Sequence, residues 1–282
     1  MVFKKLLAAL QPEQRTAAAA VEFPLETEAL INRLHDSAPL DEHLRILFDG
    51  VTVGGENYVD LYRRCLTGTG TPVTPFNVFH RFQSRRDLLQ YFFATLDLPG
   101  ARAECGTYRG ATALLLAHAW RSRQPAFAGD GLFLIDSFVG TSASGEHDLI
   151  PVRNDDGTAR REAFFPVAKA DISPELVRSY FREFPGVNIC AGWIPPVLNT
   201  LPESAWAFVH LDVTLYEPTL AALEHFFPRL TPGGVIICDG SIFCPGAKKA
   251  WDEFCTRRNL PFIVLGNRES ILIKQPSVAA KR

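Results

Sequence analysis

The sequence predicts a doubly wound α/β fold, a seven-stranded sheet with an antiparallel final hairpin, preceded by a helical N-terminal extension. Three observations carry that expectation. From Ala101 onward, short apolar runs alternate with amphipathic segments, the pattern of a parallel sheet covered by helices on both faces. Five successive apolar runs each end in a glycine or an acid. The last two runs are joined by a short turn, so they should pair antiparallel.

The first hundred residues read as helical. Leucines and aromatics recur at spacings of three and four: Leu30 and Leu34, Leu44 and Leu47, Leu61 and Cys65, then Leu88, Leu89, Phe92, Phe93 and Leu96. Ser84 with Asp87 reads as the capped start of the last of these helices. Glycine and proline between Gly68 and Pro75 mark a loop. Strands are expected at Ala101–Cys105, Leu132–Asp136, Val187–Ala191, Ala207–Asp212, Val235–Asp239, Pro261–Leu265 and Ser270–Lys274. Helices are expected over Ala111–Trp120, Pro174–Phe184 and Tyr216–Leu230, with a further one striped by Ala247, Trp251 and Phe254. Ser173 before Pro174 gives a side-chain cap followed by a proline at the first helical position. Residues 1–98 are thus grouped as a helical region, an acceptor wall or a homodimer contact, and residues 99–282 as the main domain. The stretch 141–171 mixes Gly, Asp, Arg and His with Phe164 and Phe165. It reads as a long loop that serves as a lid.

Composition narrows the function. The 282 residues are 47% hydrophobic and 21% charged, with a formal net charge of -2. A nucleic-acid binder would be distinctly basic, and no apolar run approaches the roughly 20 residues of a membrane span. The opening Met1–Leu10 stretch reads as a helix start rather than a secretory signal, and the chain as cytoplasmic. None of the six cysteines forms a Cys-x-x-Cys pair, so reduced, buried thiols are expected rather than a disulfide frame or a zinc site.

In an open α/β sheet, ligands bind beyond the carboxyl ends of the strands. There the sequence places Glu104-Cys105-Gly106-Thr107-Tyr108-Arg109-Gly110, whose glycines allow close backbone approach. The helix start at Gly110–Thr112 offers free N–H groups to an anion. Asp136, followed by Ser137, ends the second strand, where an acid can accept both hydroxyls of a ribose. Gly192 and Trp193 end the third strand, beside an adenine's expected place. Asp212 and Asp239 end the fourth and fifth, and His210 shares a strand face with Asp212. Each of these has a plain structural alternative: a tight turn, a helix cap, a gap-filling Trp or a packed His. Their recurrence on five consecutive strands favours the functional reading.

Several stretches together resemble the macrocin O-methyltransferase family. They are Tyr58-Val-Asp-Leu-Tyr-Arg-Arg-Cys-Leu66, Glu104–Gly110, Asp136-Ser-Phe-Val-Gly140, Thr200-Leu-Pro202, His210-Leu-Asp-Val-Thr-Leu-Tyr-Glu-Pro218, Leu230-Thr-Pro-Gly-Gly234 and Gly246-Ala-Lys-Lys-Ala250. The resemblance implies a Rossmann-like, S-adenosylmethionine-binding enzyme that methylates a hydroxyl of a small-molecule acceptor, a sugar or other polyhydroxyl natural product. It implies that Glu104, Gly106 and Thr107 lie along the methionine half of the cofactor, and Asp136 and Ser137 along the ribose. It sets Asp212 and Asp239 at the reacting centre, where the family binds Mg2+. The candidate cofactor set is thus Glu104, Gly106, Thr107, Tyr108, Gly110, Thr112, Asp136, Ser137, Gly192, Trp193 and Asp212. Asp212 and His210 are the candidate catalytic residues, and Asp212 and Asp239 the candidate metal ligands.

The sequence departs from the family pattern at that centre. Thr214 stands where the family has a second Asp after strand four, and Gly240-Ser241 stands where it has Asp-Tyr after strand five. Only Asp212 and Asp239 then remain as acidic ligands, a weak set unless water and substrate complete it. His210, His147 or Asp212 would serve as base without a metal. Val139-Gly140-Thr141-Ser142 also replaces the family's Gly-Leu-Pro on the acceptor side. Two other functions compete: a cofactor binder that has lost turnover, and a nicotinamide oxidoreductase. The absence of Gly-x-Gly-x-x-Gly and the terminal hairpin argue against the latter.

Overall fold

The computed structural model describes residues 50–73, 81–154, 156–165, 167–168 and 170–276. The helical reading of Leu30, Leu34, Leu44 and Leu47 lies outside these residues. In chain order the elements are β1 (Thr52–Val53), β2 (Glu56–Asn57), α1 (Tyr58–Gly68), α2 (Arg81–Ala94), β3 (Ala101–Cys105), α3 (Ala111–Arg123), β4 (Leu132–Asp136), β5 (Leu149–Arg153), β6 (Ala159–Ala163), α4 (Pro174–Tyr180), β7 (Asn188–Ala191), β8 (Trp206–Leu211), α5 (Tyr216–Arg229), β9 (Leu230–Cys238), α6 (Pro245–Arg258), β10 (Ile263–Val264) and β11 (Ser270–Ile273).

Seven strands form one sheet in the order β10-β11-β9-β8-β3-β4-β7. The central five are parallel, and β11 runs antiparallel to both β9 and β10. The doubly wound sheet and its closing hairpin are as the sequence predicts. Chain order reverses between β3 and β8, so the carboxyl ends of these two strands form the crevice where such sheets take ligands.

The two faces of the sheet are covered differently. Ala103, Cys105, Val209, Leu211, Ile236 and Cys238 join Phe226 of α5 and Trp251 and Phe254 of α6 in one buried cluster. On the opposite face, Phe92 of α2 meets Phe208 at a ring distance of 5.2 Å and Trp120 of α3 at 6.0 Å. Trp206 meets Phe226 at 4.9 Å, although it is two residues from Phe208 and would ordinarily share its face. An irregularity in both neighbouring ladders between Trp206 and Phe208 accounts for the switch. It also leaves His210 on the α2 side, in register with Glu104 of β3.

Arg102 is the one cation inside β3, and it is 4% exposed. Its guanidinium donates to the carbonyls of Thr95 and Leu96, both at 2.9 Å, and of Leu98 at 3.1 Å. It also lies 4.4 Å over the Trp120 ring. The cation thereby satisfies carbonyls left open where α2 ends, which lets a charged residue occupy a fully buried strand.

Several expectations need correction. Ser84 is not a cap: it lies inside α2 and its hydroxyl donates to the Arg81 carbonyl at 3.0 Å. Helix α4 stops at Tyr180, short of the expected Phe184, and its Ser173 Oγ accepts from the Leu176 amide as predicted. Strand β9 starts at Leu230 rather than Val235, because the Gly233 amide donates to the Lys274 carbonyl at 2.8 Å and carries the pairing back through the glycines. The loop read between 141 and 171 contains an antiparallel hairpin, β5 with β6. Its second strand, Ala-Arg-Arg-Glu-Ala, is exposed along nearly all its length and has no apolar alternation to mark it.

The hairpin is fastened at its base by Asp148, which is 4% exposed. Asp148 Oδ2 accepts from the Gly145 amide at 2.8 Å, and Oδ1 accepts from the Tyr216 amide at 2.8 Å. Tyr216 opens α5, whose own cap position, Leu215, has no side chain able to accept. The carboxylate thus caps α5 from outside the helix, at its positive dipole end. Replacing Asp148 with Ala should lower unfolding stability by about 1–3 kcal/mol, since buried amides lose their acceptor. Chemical denaturation reads this directly, and an unchanged midpoint would show that the contact carries no weight.

Candidate functional site

The site is built by backbone hydrogen bonds one residue beyond the strand ends. The Gly106 amide donates to the Ile135 carbonyl at 2.9 Å, and the Asp212 amide to Cys105 at 2.8 Å. The Asp239 amide donates to Leu211 and the Gly192 amide to Asp136, both at 2.8 Å. Four residues singled out by sequence are therefore held in register by the sheet itself. Gly106 has φ +84, and a Cβ there would stand 2.3 Å from the Asp212 carbonyl oxygen. Only glycine permits that approach.

Two cavities open over this edge. The larger, of about 480 Å³, is lined by Gly106, Tyr108, Asp136, Ser137, Gly192, Trp193 and Asp212, with Thr141, Ser142 and Ile172 beyond them. The smaller, of about 290 Å³, is lined by Tyr62, Arg81, Arg85, Glu104, Gly106, Thr107, Tyr108, Thr112 and Asp212. Gly106, Tyr108, Arg109, Asp212 and Thr214 belong to both, so an elongated ligand would cross at these residues.

Asp136 is fixed before any ligand arrives. Its Oδ2 accepts from the Tyr108 amide at 2.7 Å and its Oδ1 from the Phe138 amide at 2.8 Å. Burial raises its pKa, and those two amides pull back against the rise. Tyr108 and Phe138 both take positive φ, 50 and 56, which turns their amides toward the carboxylate. Glu104 is 1% exposed; its Oε1 lies 3.0 Å from His210 Nδ1, and its Oε2 has no partner. A buried carboxylate oxygen left open at the wall of the smaller cavity suits a cationic donor such as an amino group.

Arginines dominate the centre. Arg81 Nη1 donates to Asp212 Oδ2 at 2.5 Å, and Arg85 Nη2 donates to the same oxygen at 2.8 Å. Arg85 Nη1 lies 3.2 Å from Asp239 Oδ2 and 3.4 Å from Glu269 Oε1. Its Nε donates to Thr112 Oγ1 at 2.9 Å. The Arg85 side chain is 1% exposed and that of Glu269 is fully buried. Burial works to raise the Asp212 pKa, but the Arg81 and Arg85 guanidiniums outweigh it and hold the carboxyl well below the usual range. Burial pushes Glu269 up to about 7 despite Arg85.

The structure brings most predicted residues together and leaves four, Gly110, His210, His147 and Asp239, outside the lining of both cavities. Gly110 lines neither cavity. It caps α3 in a left-handed conformation, and a Cβ there would meet the Phe181 ring at 2.9 Å. His210 is fully buried and lines neither cavity, although one ligating atom each of His210, Asp212 and Asp239 lies within 4.8 Å of the others. His147 stacks edge-on against Tyr216 at 4.4 Å, outside both cavities. That trio would ordinarily suggest a cation site. The donors fit one poorly, because Arg85 already engages Oδ2 of both Asp212 and Asp239 and sets a fixed positive charge between them.

Sequence reasoning missed Arg81 and Arg85. A signal was present: Phe82, Arg85, Leu89 and Phe92 recur at helical spacing, so Arg85 sits on the stripe that α2 buries. An arginine in an apolar stripe requires buried acids opposite, and Asp212 and Asp239 were the acids on hand.

A family model described as macrocin-O-methyltransferase (TylF) matches residues 67–264. Demethyldecarbamoylnovobiocin O-methyltransferase of Streptomyces niveus is 30% identical over 167 residues, 56% of this chain and 59% of that protein. The 8-demethyl-8-(2,3-dimethoxy-alpha-L-rhamnosyl)-tetracenomycin-C 4'-O-methyltransferase of Streptomyces olivaceus is 31% identical over 169 residues, 55% of this chain and 59% of its own. The matched region thus spans about 59% of the length of these curated relatives. Among solved structures, the O-methyltransferase NovP aligns with a TM-score of 0.60 at 21% identity, covering 78% of this chain and 98% of that one. The calicheamicin methyltransferase CalS11 aligns at 0.55 and 20% identity, covering 76% and 91%. These two share the fold. The chain belongs to the macrocin O-methyltransferase family.

Gly106→Ala should cost more than about 2 kcal/mol in unfolding stability, because the new methyl and the positive φ are both refused. Thermal or denaturant unfolding measures it; a variant as stable as the parent would show that the Gly106–Asp212 approach is not rigid.

Proposed function

We propose that this member of the macrocin O-methyltransferase family is an S-adenosylmethionine-dependent O-methyltransferase acting on a hydroxyl of a small molecule. The acceptor class that fits is a sugar or other polyhydroxyl natural product; the name of the Streptomyces olivaceus relative specifies a rhamnosyl compound. The observation that carries the reading is the pair of cavities meeting at Gly106, Tyr108 and Asp212, on the switch point of the sheet.

The cofactor's parts find matching groups. Asp136, pinned by two amides, offers its remaining lone pairs to the ribose hydroxyls, with Ser137 beside it. Trp193, 43% exposed on the wall of the larger cavity, gives an adenine a ring to pack on. Glu104 Oε2, buried and unpartnered, receives the amino group of the methionine half. Thr107 and Thr112 line the same cavity. When bound, S-adenosylmethionine supplies an electrophilic methyl group to the acceptor oxygen.

Asp212 lies where both cavities meet, so it both positions the acceptor hydroxyl and takes its proton. Its Oδ1 has a single long contact, Arg81 Nη2 at 3.4 Å, and is the oxygen left to do so. His210 acts from behind: its ring is held by Glu104 and packs beneath the carboxylates without reaching either cavity. The hairpin β5–β6 and the residues around it are proposed to close over the acceptor. Six free cysteines, five of them buried, suit the reducing cytoplasm. Among the described residues no helix is long and apolar enough to cross a membrane. A second reading, a cofactor binder without turnover, draws on the double ion pair that weakens Asp212 as a base.

Calorimetric titration with S-adenosylhomocysteine tests the pocket, and a methyl-transfer screen over sugars and other polyhydroxyl acceptors separates the two readings. Micromolar binding with transfer to an oxygen is expected; binding without transfer to any acceptor supports the second reading, and no binding removes both. Asp136→Asn should weaken S-adenosylhomocysteine roughly tenfold, since one charge-assisted contact to a ribose hydroxyl is lost. Unchanged affinity would take Asp136 out of the site. Asp212→Asn should reduce turnover by about a hundredfold with little change in cofactor affinity; retained turnover would make Asp212 structural.

A further inference from the structure

We infer that the guanidinium of Arg85, steadied by Arg81, stands where a divalent cation would otherwise bridge Asp212 and Asp239, and that this chain works without such a metal. The consequence for turnover rests on the methyl-transfer reading above. The exclusion of the metal rests on the cluster alone.

The geometry leaves a cation few donors: Arg85 holds one oxygen of each of Asp212 and Asp239, and Asp212 Oδ1 and His210 Nε2 fall well short of a full set. A hard divalent ion needs about six oxygen ligands at roughly 2.0–2.6 Å, with carboxylates free to turn toward it. Arg85 instead spreads one planar fork over Asp212, Asp239 and Glu269 at 2.8, 3.2 and 3.4 Å. Its Nη1 also reaches Ser84 Oγ at 3.2 Å, and its Nε is anchored on Thr112 at 2.9 Å. The side chain is 1% exposed, so it has no solvent-facing alternative position. A guanidinium does not lose its proton, so its charge cannot be titrated away to admit a second cation. An incoming divalent ion would meet a fixed positive charge within the same few ångströms.

The neighbouring sequence agrees. Thr214 and Gly240 follow Asp212 and Asp239 at close range and bring no charge. Three carboxylates face two guanidiniums, a balance that a dipositive ion would overturn. Arg81 carries the charge outward: its side chain is a third exposed and lines the smaller cavity. A permanent cation there stabilises negative charge building on the acceptor oxygen, the part a metal would otherwise play. In the transfer the O–CH3 bond forms as the S–CH3 bond breaks, and the hydroxyl proton passes to Asp212 and on to water. No further reactant is required.

The test is binding of Mn2+, followed by electron paramagnetic resonance and calorimetry on the full-length chain. The parent protein should bind no stoichiometric Mn2+ into the millimolar range, and S-adenosylhomocysteine should bind equally with chelator or with Mg2+. Arg85→Met should gain one Mn2+ site per chain, because Asp212 and Asp239 lose their internal partner. One tight Mn2+ in the parent overturns the inference, as does a folded Arg85→Met that gains none. If Arg85→Met fails to fold by circular dichroism, the parent isotherm decides. A chain that binds neither S-adenosylhomocysteine nor Mn2+ would sink the methyltransferase reading while leaving the metal exclusion standing.

Discussion

A guanidinium sealed at the carboxyl edge of the sheet is the contact on which this site depends. Arg85 joins α2 to three separate parts of the chain: the residue after β8, the residue after β9, and Glu269 just before β11. Through Thr112 it also reaches the first turn of α3. Without it Asp239 and Glu269 would lose their guanidinium partner and Asp212 would keep only Arg81, and an unpaired buried charge is far costlier than a paired one. The arginine is equally dependent on them. Helix α2 therefore cannot leave the sheet without exposing charges on both sides, which makes it a wall of the site rather than an appendage.

The edge beside that cluster is organised by backbone. Each strand-end residue donates to its neighbour's carbonyl in the same register as the sheet, so the positions of Gly106, Gly192, Asp212 and Asp239 follow from the strands and not from loops. This is why the site was so readable. Parallel strands buried on both faces are continuous apolar runs, and the residue that ends such a run lies at the ligand edge. Asp136, Trp193 and Asp212 could be placed by that rule without knowing any contact.

Other features escaped for specific reasons. Strand β6 is exposed at four of its five residues, so no periodicity in burial leaves a trace in its sequence. The face switch between Trp206 and Phe208 depends on an irregular ladder, which is a property of three strands together and not of one. Gly110 looked like a ligand glycine because it closes the Glu104–Gly110 stretch at a helix start, but the space over it belongs to Phe181. Arg85 was hidden by habit, since a basic residue on a helix is usually assigned to the solvent side. The acids in its path were visible; the cation that completes them came from a segment more than a hundred residues earlier.

Asp148 carries a consequence for how this architecture diversifies. Inserted hairpins are where relatives of a common scaffold would be expected to exchange material freely. Here the base of that segment holds the capping group of α5, and Gly246 of α6 is packed so closely that a methyl group there would overlap Asp148. A transplanted segment without an aspartate at that point would strip a helix of its cap. Grafting between homologues is therefore constrained to inserts that bring their own fastening, and variation should accumulate toward the tip of the hairpin, where the turn from Asn154 to Thr158 bonds mainly to itself.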